Sequence, residues 1–226
     1  WSSDVCSSDL PAEAFTGISG QLVEAAVDGN VQKMEQLIGE GADPNSKDKD
    51  GNTALLWVLA AHNTRGAEKL LELGADPNVV TPIGPPIWAS VQAKDFESLK
   101  MLIAHGGDPN KDYDGKTPLM VAIQVMVDGY ERLGRERFDY LIAHGADVNF
   151  EAYSEFGCSL HKVVPKPEID ENEACTKGAA DFAVTFNRFD IAIELLSKGY
   201  TKHLDRLARY VAGSPVAKTS KAYRDR

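Results

Sequence analysis

The sequence predicts an all-helical solenoid: about five helix-turn-helix units stacked in line, joined by short β-hairpin loops and closed by a C-terminal capping helix. Three observations carry this. A Gly-x-Asp-x-Asn pentad recurs as Gly41 to Asn45, Gly74 to Asn78, Gly106 to Asn110 and Gly145 to Asn149, at spacings of 33, 32 and 39 residues. Self-similarity at a period of roughly 20–50 residues is the signature of stacked repeats. Before each pentad lies a short amphipathic segment: Met34, Leu37, Ile38; Leu70, Leu71; Leu99, Met101, Leu102, Ile103; Phe138, Leu141, Ile142. Apolar residues at helical spacing followed by Gly describe a helix buried on one face and ended in the left-handed conformation. After each pentad come polar residues and a second glycine, in Asp50-Gly51, Gly84, Asp114-Gly115 and Gly157. Those glycines permit the tight turn of a hairpin between helix pairs.

The elements follow in order. Residues 1–10, WSSDVCSSDL, begin at Trp1, and Asp4 to Leu10 reads like the translation of a common sequencing-library adapter; they are set aside as non-native. The first unit, about 17–45, keeps Leu22, Ala25, Ala26, Gly29 and Leu37-Ile38 but lacks the later units' opening, as expected of a cap with one side in water. The second, 46–78, opens its inner helix with Thr53-Ala54-Leu55-Leu56, Thr serving as N-cap. The third, 79–110, opens with Pro85-Pro86-Ile87-Trp88. The fourth, 111–149, opens with Thr117-Pro118-Leu119-Met120, with Pro at the first helical position. About six extra residues around Met126 to Glu131 are expected to lengthen its inner helix or enlarge its inter-helix loop.

The fifth unit, 150–200, ends in Ala183-Val184, Ile191, Leu195-Leu196 and Gly199, but about twenty extra residues precede that ending. This insertion, 151–177, breaks at Pro165 and Pro167 and carries Glu168, Asp170, Glu171 and Glu173, which predicts an exposed loop. Interrupting the final repeat is expected to make it the softest part of the stack. Residues 201–226 are read as a capping helix and basic tail, with Leu204, Leu207, Ala208 and Val211 packing on the fifth unit.

The layout resembles the ankyrin repeat, which opens with Asp-Gly-x-Thr-Pro-Leu-His and ends its outer helix in Leu-Leu-x-x-Gly-Ala-Asp. Ser46 to Asn78 matches the 33-residue period without a gap, and the resemblance runs from Gly20 to about Tyr200, so residues 11–200 are assigned to an ankyrin repeat domain. It implies a non-catalytic module that binds a protein partner through hairpin tips and a concave inner-helix face, a monomer when unbound. Lacking appended domains, the chain also resembles small stand-alone bacterial ankyrin proteins, some of them exported. Positions the repeat leaves free are the candidate contacts: Lys47, Lys49, Ile83, Tyr113, Tyr153 and Phe156 in the hairpins, and Gln92 and Gln124 on inner helices. Stacked repeats place such residues on one face. Trp57 stands at the family's Leu position after the motif, which packs between helices, and Trp88 replaces the motif His; core packing rather than binding is expected of both.

Charge and motif content narrow the function. The formal net charge is −10, or −8 without residues 1–10, divided into −13 for residues 11–200 and +5 for the tail. That balance argues against a nucleic-acid binder. No run reaches the roughly eighteen apolar residues of a membrane helix, and no charged-then-apolar leader is present, so a soluble chain is expected. No phosphate loop, nucleophile elbow or His-Glu-x-x-His appears among the motifs, and no cofactor is expected. His105 and His144 precede helix-ending glycines, where an imidazole can bond the last carbonyls. Cys158-x-x-His161 offers two metal ligands of the four a zinc site needs, or a cysteine-dependent centre; this is the alternative enzyme reading, and a subunit of a larger assembly is a third. With Cys6 set aside, Cys158 and Cys175 both fall in the insertion, where a disulfide would close a loop of about 18 residues and imply an oxidising compartment.

Overall fold

The structure is a computed structural model and describes residues 14–93, 96–153 and 175–213. The described residues hold eleven helices and one two-stranded ladder, and the chain divides into two compact units, Trp1–Asp108 and Pro109–Arg226.

In the first unit three helix pairs stack: α1 (Gly17–Val27) with α2 (Val31–Gly39), α3 (Ala54–Ala60) with α4 (Thr64–Glu72), and α5 (Pro86–Gln92) with α6 (Glu97–Ala104). The inner helices α1, α3 and α5 pack in series, and so do the outer helices α2, α4 and α6. The periodic apolar residues make this core: Leu22, Val23 and Ala26, Met34 and Leu37, Leu55 and Val58, Leu70 and Leu102 are all buried. Each large aliphatic side chain so removed from water contributes about 1.5–3 kcal/mol. Close approach between pairs demands a missing side chain. A Cβ on Gly66 of α4 would fall onto the Ala26 carbonyl of α1. The adjacent Asn63 uses that proximity, accepting from Gly66 N–H at 2.9 Å while donating to the Val27 carbonyl at 2.8 Å.

In the second unit α7 (Pro118–Val127) pairs with α8 (Glu131–Ala143), and α9 (Ala179–Thr185) with α10 (Phe189–Ser197); α9 also packs on α7 and on the last helix, α11 (Leu204–Gly213). The six extra residues of the fourth repeat are absorbed by helix. Here α7 has 10 residues against 7 in α3, and α8 has 13 against 9 in α4. The connection between them stays at three residues, so the sequence-based alternative of an enlarged loop does not occur. The longer outer helix meets α10 and the residue that precedes it through ion pairs, Arg135 to Glu194 at 2.6 Å and Arg188, just before α10, to Glu131 at 2.9 Å.

Within each unit the pentad asparagines join successive repeats. Asn45 donates to the Gly74 carbonyl at 2.9 Å and accepts from Asp76 N–H at 2.7 Å. Asn78 does the same with Gly106 and Asp108, and Asn110 with Gly145 and Asp147. Asn149 makes the matching pair with the Gly199 carbonyl and Thr201 N–H. Both ends of each amide are satisfied by backbone of the next repeat.

The insertion begins and ends in a ladder: β1 (Ala152–Tyr153) runs antiparallel to β2 (Thr176–Lys177). Its interior, 154–174, lies outside the described residues, and with it Phe156, Cys158 and His161. The capping helix forms, but with a different face inward than its apolar pattern predicts. Leu207 is buried and Val211 half-buried, whereas Leu204 is 49% exposed and Ala208 exposed. Arg206 is the reason. Its guanidinium grips buried Asp181 through two bonds, at 2.9 and 2.6 Å, and this turns residues 206 and 207 toward α9.

Candidate functional site

The candidate contacts fall on hairpins whose shape comes from local hydrogen bonds. In the second repeat Lys47 is bridged to Thr53 across the turn, and Asp48 between the two exposed lysines turns inward. The Asp48 carboxylate accepts from Asp50 N–H and Asn52 N–H, both at 2.8 Å, from Asn52 Nδ2 at 3.1 Å and from the Trp57 indole N–H at 2.7 Å. Four donors on one carboxylate fix the turn and leave Lys47 and Lys49 facing outward. Trp57 is half-buried rather than fully in the core, its ring edge-on to Phe15 with centroids 5.9 Å apart. Thr53 caps α3 by accepting from Leu56 N–H at 3.3 Å.

In the third repeat Thr81 and Gly84 close the turn, and the Thr81 hydroxyl donates to the Gly84 carbonyl at 2.7 Å. This holds Ile83 out at 38% exposure. Pro86 starts α5 and Gln92, exposed, ends it.

The second unit presents its own set. Tyr113 and Lys116 pair across the fourth hairpin through two backbone bonds of 3.0 Å, and both are half-buried. Thr117 caps α7 as the sequence predicts, accepting from Met120 N–H at 3.3 Å. Gln124, half-buried on α7, spends its amide on Asp128 at 2.8 Å. On the ladder, Tyr153 opposite Thr176 is 56% exposed, and Ala152 stands opposite Lys177. Cys175, one residue before β2, is buried and disulfide-bonded. The other two cysteines, Cys6 and Cys158, lie outside the described residues.

Sequence reasoning missed the group behind this ladder. Asp181, 2% exposed, takes the Arg206 fork, the Tyr200 hydroxyl at 2.9 Å and the Gly178 N–H at 3.0 Å, while Arg206 also donates to the Thr176 carbonyl at 3.1 Å. Burial, reinforced by the Asp181 carboxylate, pushes the Tyr200 phenol well above its ordinary range. Lys177 moves the other way: burial lowers it first, the positive charges of Arg206 and Lys116 add to that, and Asp181 offsets part. Among the described residues no group of three or more His, Cys, Asp or Glu is arranged to hold a metal, and no helix is long and apolar enough to cross a membrane. His144 bonds the Tyr140 carbonyl through its ring nitrogen at 2.8 Å, the helix-end role expected of it.

A family model described as three copies of ankyrin repeats matches residues 58–152. The chain is an ankyrin repeat protein. The curated relatives it matches include the ankyrin repeat domain-containing protein SAT10 of Stachybotrys chartarum, 36% identical over 119 residues, which are 50% of this chain and 6% of that protein. Neurogenic locus notch homolog protein 1 of Xenopus laevis is 28% identical over 212 residues, 84% of this chain and 8% of the relative. The human ankyrin repeat and SOCS box protein 6 is 32% identical over 102 residues, 34% of this chain and 24% of the relative. The chain thus spans less than a quarter of the length of each of these three. All three are eukaryotic, so they lend no support to the bacterial likeness read from the sequence. Ankyrin repeats are in general protein-protein interaction modules, and nothing in the comparisons favours an enzyme built on Cys158 and His161.

Proposed function

We propose that this chain binds a protein partner without catalysing a reaction, each unit presenting its own hairpin tips and inner helices: Lys47, Lys49, Ile83 and Gln92 in the first, Tyr113, Gln124, Tyr153 and Phe156 in the second. The observation that carries this is the pairing of rigid backbone with exposed apolar side chains. Ile83 and Tyr153 are held outward by closed turns and ladders, at positions where solvation alone favours polar residues. Rigid presentation lowers the ordering cost of binding. The test is a partner recovered by pull-down, purified, and titrated against variants. Tyr113→Ala with Tyr153→Ala should weaken it at least tenfold, while Arg132→Ala on the outer helix, 93% exposed, leaves it unchanged. Equal affinity across the three proteins would remove the assigned surface. We also propose Cys158 as the disulfide partner of Cys175, because Cys6 belongs to the adapter-like N-terminal stretch.

A further inference from the structure

We infer that Asp114-Gly115 is a site of spontaneous covalent modification, where Asp114 converts to isoaspartate through a cyclic imide while the fold protects the other Asp-Gly steps of the chain. The inference is independent of the binding reading above.

The chemistry is intramolecular. In an Asp-Gly step the glycine main-chain nitrogen attacks the aspartate Cγ: an N–Cγ bond forms, the Cγ–OH bond of the carboxyl breaks, and the hydroxyl leaves with the amide proton as one water. Water then adds back to the five-membered imide. Opening at Cγ restores aspartate, whereas opening at the former main-chain carbonyl gives isoaspartate, with the chain now running through Cβ and Cγ and the α-carboxylate free. Nothing is oxidised or reduced, and water is the only co-reactant. Glycine favours the step because it sets no side chain against the ring.

The sequence holds four such steps, Asp28-Gly29, Asp50-Gly51, Asp114-Gly115 and Asp128-Gly129. All four aspartates are exposed, so access of water does not separate them. Main-chain hydrogen bonds do. Asp28 N–H donates to the Glu24 carbonyl at 2.9 Å and Gly29 N–H to the Ala26 carbonyl at 3.0 Å, and Asp128 and Gly129 repeat this with Gln124 and Met126 at 2.9 and 3.1 Å. Asp50 N–H is held by the Asp48 carboxylate at 2.8 Å, and Gly51 N–H by the Asp48 carbonyl at 3.1 Å. In the fourth hairpin the two bonds, both 3.0 Å, join Tyr113 and Lys116 on either side of the step. Neither Asp114 N–H nor Gly115 N–H has a partner among the described residues. A bonded amide has to open before its peptide plane can turn onto the side chain, and only at Asp114-Gly115 is that opening unnecessary.

Backbone conformation acts in the same direction. Of the four aspartates Asp114 alone lies in the left-handed region, at φ 50, where a side chain crowds the following carbonyl. Isoaspartate relieves this, because the Cβ becomes main chain. The product lengthens a two-residue turn by one main-chain atom, so both Tyr113–Lys116 bonds are not kept and the hairpin loosens.

The test ages the full chain at neutral pH in water enriched in oxygen-18, then digests it with trypsin in ordinary water. Each passage through the imide exchanges one carboxyl oxygen, and cleavage after Lys111 and Lys116 isolates the step as Asp112-Tyr113-Asp114-Gly115-Lys116. Mass spectrometry should find label entering this peptide about tenfold faster than at the other three steps, together with an isoaspartate form that elutes separately. In guanidinium the unfolded chain has no such bonds, and the four rates should converge to within about twofold. Asp114→Glu, whose imide needs a six-membered ring, should remove the label from the peptide. Equal labelling of the four steps in the folded chain, a lead of Asp114 that persists in guanidinium, or label retained by Asp114→Glu each overturns the inference. The first two arms use the unaltered chain, so the outcome does not depend on how the variant folds.

Discussion

Two hairpins, one in each unit, are built around a buried aspartate, and they solve the same problem with different reach. Asp48 is satisfied by residues no more than nine positions away: two backbone amides, the Asn52 amide and the Trp57 indole. All its donors are neutral. Asp181 instead draws Tyr200 from 19 residues away and Arg206 from 25, a phenol and a guanidinium. The difference follows from the insertion. A short hairpin closes on itself, but a ladder whose strands are separated by more than twenty residues gains little from local bonds and pays more to close. Its base is held from the C-terminal side, by a helix that brings its own cation.

The strongest way to break this contrast is Arg206→Ala. Leaving Asp181 buried with its counter-charge gone should cost about 3–5 kcal/mol, and hydrogen exchange should show the loss in α9, α11 and the ladder while α1 to α4 keep their protection. Uniform loss across both units would show that the tie is not local. Reduction of the disulfide comes next, at roughly 3 kcal/mol for an 18-residue loop on the chain-entropy picture. Non-reducing peptide mapping should recover Cys158 joined to Cys175, and two free thiols in the native protein would exclude the pair. Asp48→Ala should cost about 1–3 kcal/mol by orphaning the donors around it, read by thermal melting, with the effect confined to the first unit. Gly66→Ala belongs at the same level, about 1–3 kcal/mol from overpacking against Ala26.

The smallest effect is expected at the surface pair of Arg188 and Asp190. The Arg188 guanidinium at 2.8 Å holds the Asp190 carboxyl below its ordinary value, the hydrogen bond from Arg188 outweighing burial. A lowered carboxylate adds stability above its unfolded titration, and that stability disappears as pH falls through the folded one, so the pH dependence is confined to pH below about 4 while the contribution itself is present at neutral pH. Asp190 is 61% exposed, and Asp190→Asn should therefore cost less than about 1 kcal/mol at neutral pH, less still in high salt.

The repeat core was legible because the same physical demand recurs at each pentad. Glycine ends the helix, asparagine reaches to the next repeat, and the leucines before them face inward, so four copies declare one design. The caps at Thr53 and Thr117 were legible for the same reason. What escaped was whatever depends on a partner far along the chain. Arg206 in an amphipathic helix reads as a solvated base, and only its contact with Asp181 turns it inward and leaves Leu204 outside. Pairing of Ala152–Tyr153 with Thr176–Lys177 carries no local signal, since two-residue strands have no alternation to detect. Of the candidate contacts, Ile83 and Tyr153 are as exposed as their hairpin positions suggest, while Tyr113 and Gln124 are half-buried, and Gln124 spends its amide on Asp128.

The asparagine ladder finally marks where this chain could be cut and respliced. Asn149 asks of Gly199 and Thr201 what the earlier asparagines ask of a glycine and the residue two places on, one carbonyl and one amide, both from the main chain. The Thr201 hydroxyl adds a longer bond of 3.3 Å to the same Asn149 oxygen, which an aspartate at that place in the earlier repeats does not. Gly199-Tyr200-Thr201 is thus a disguised pentad head, docked where a further repeat would start. An added repeat grafted at Gly199 would meet the same backbone bonds, and would have to replace what the present terminus supplies to Asp181: the Tyr200 hydroxyl and the Arg206 cation.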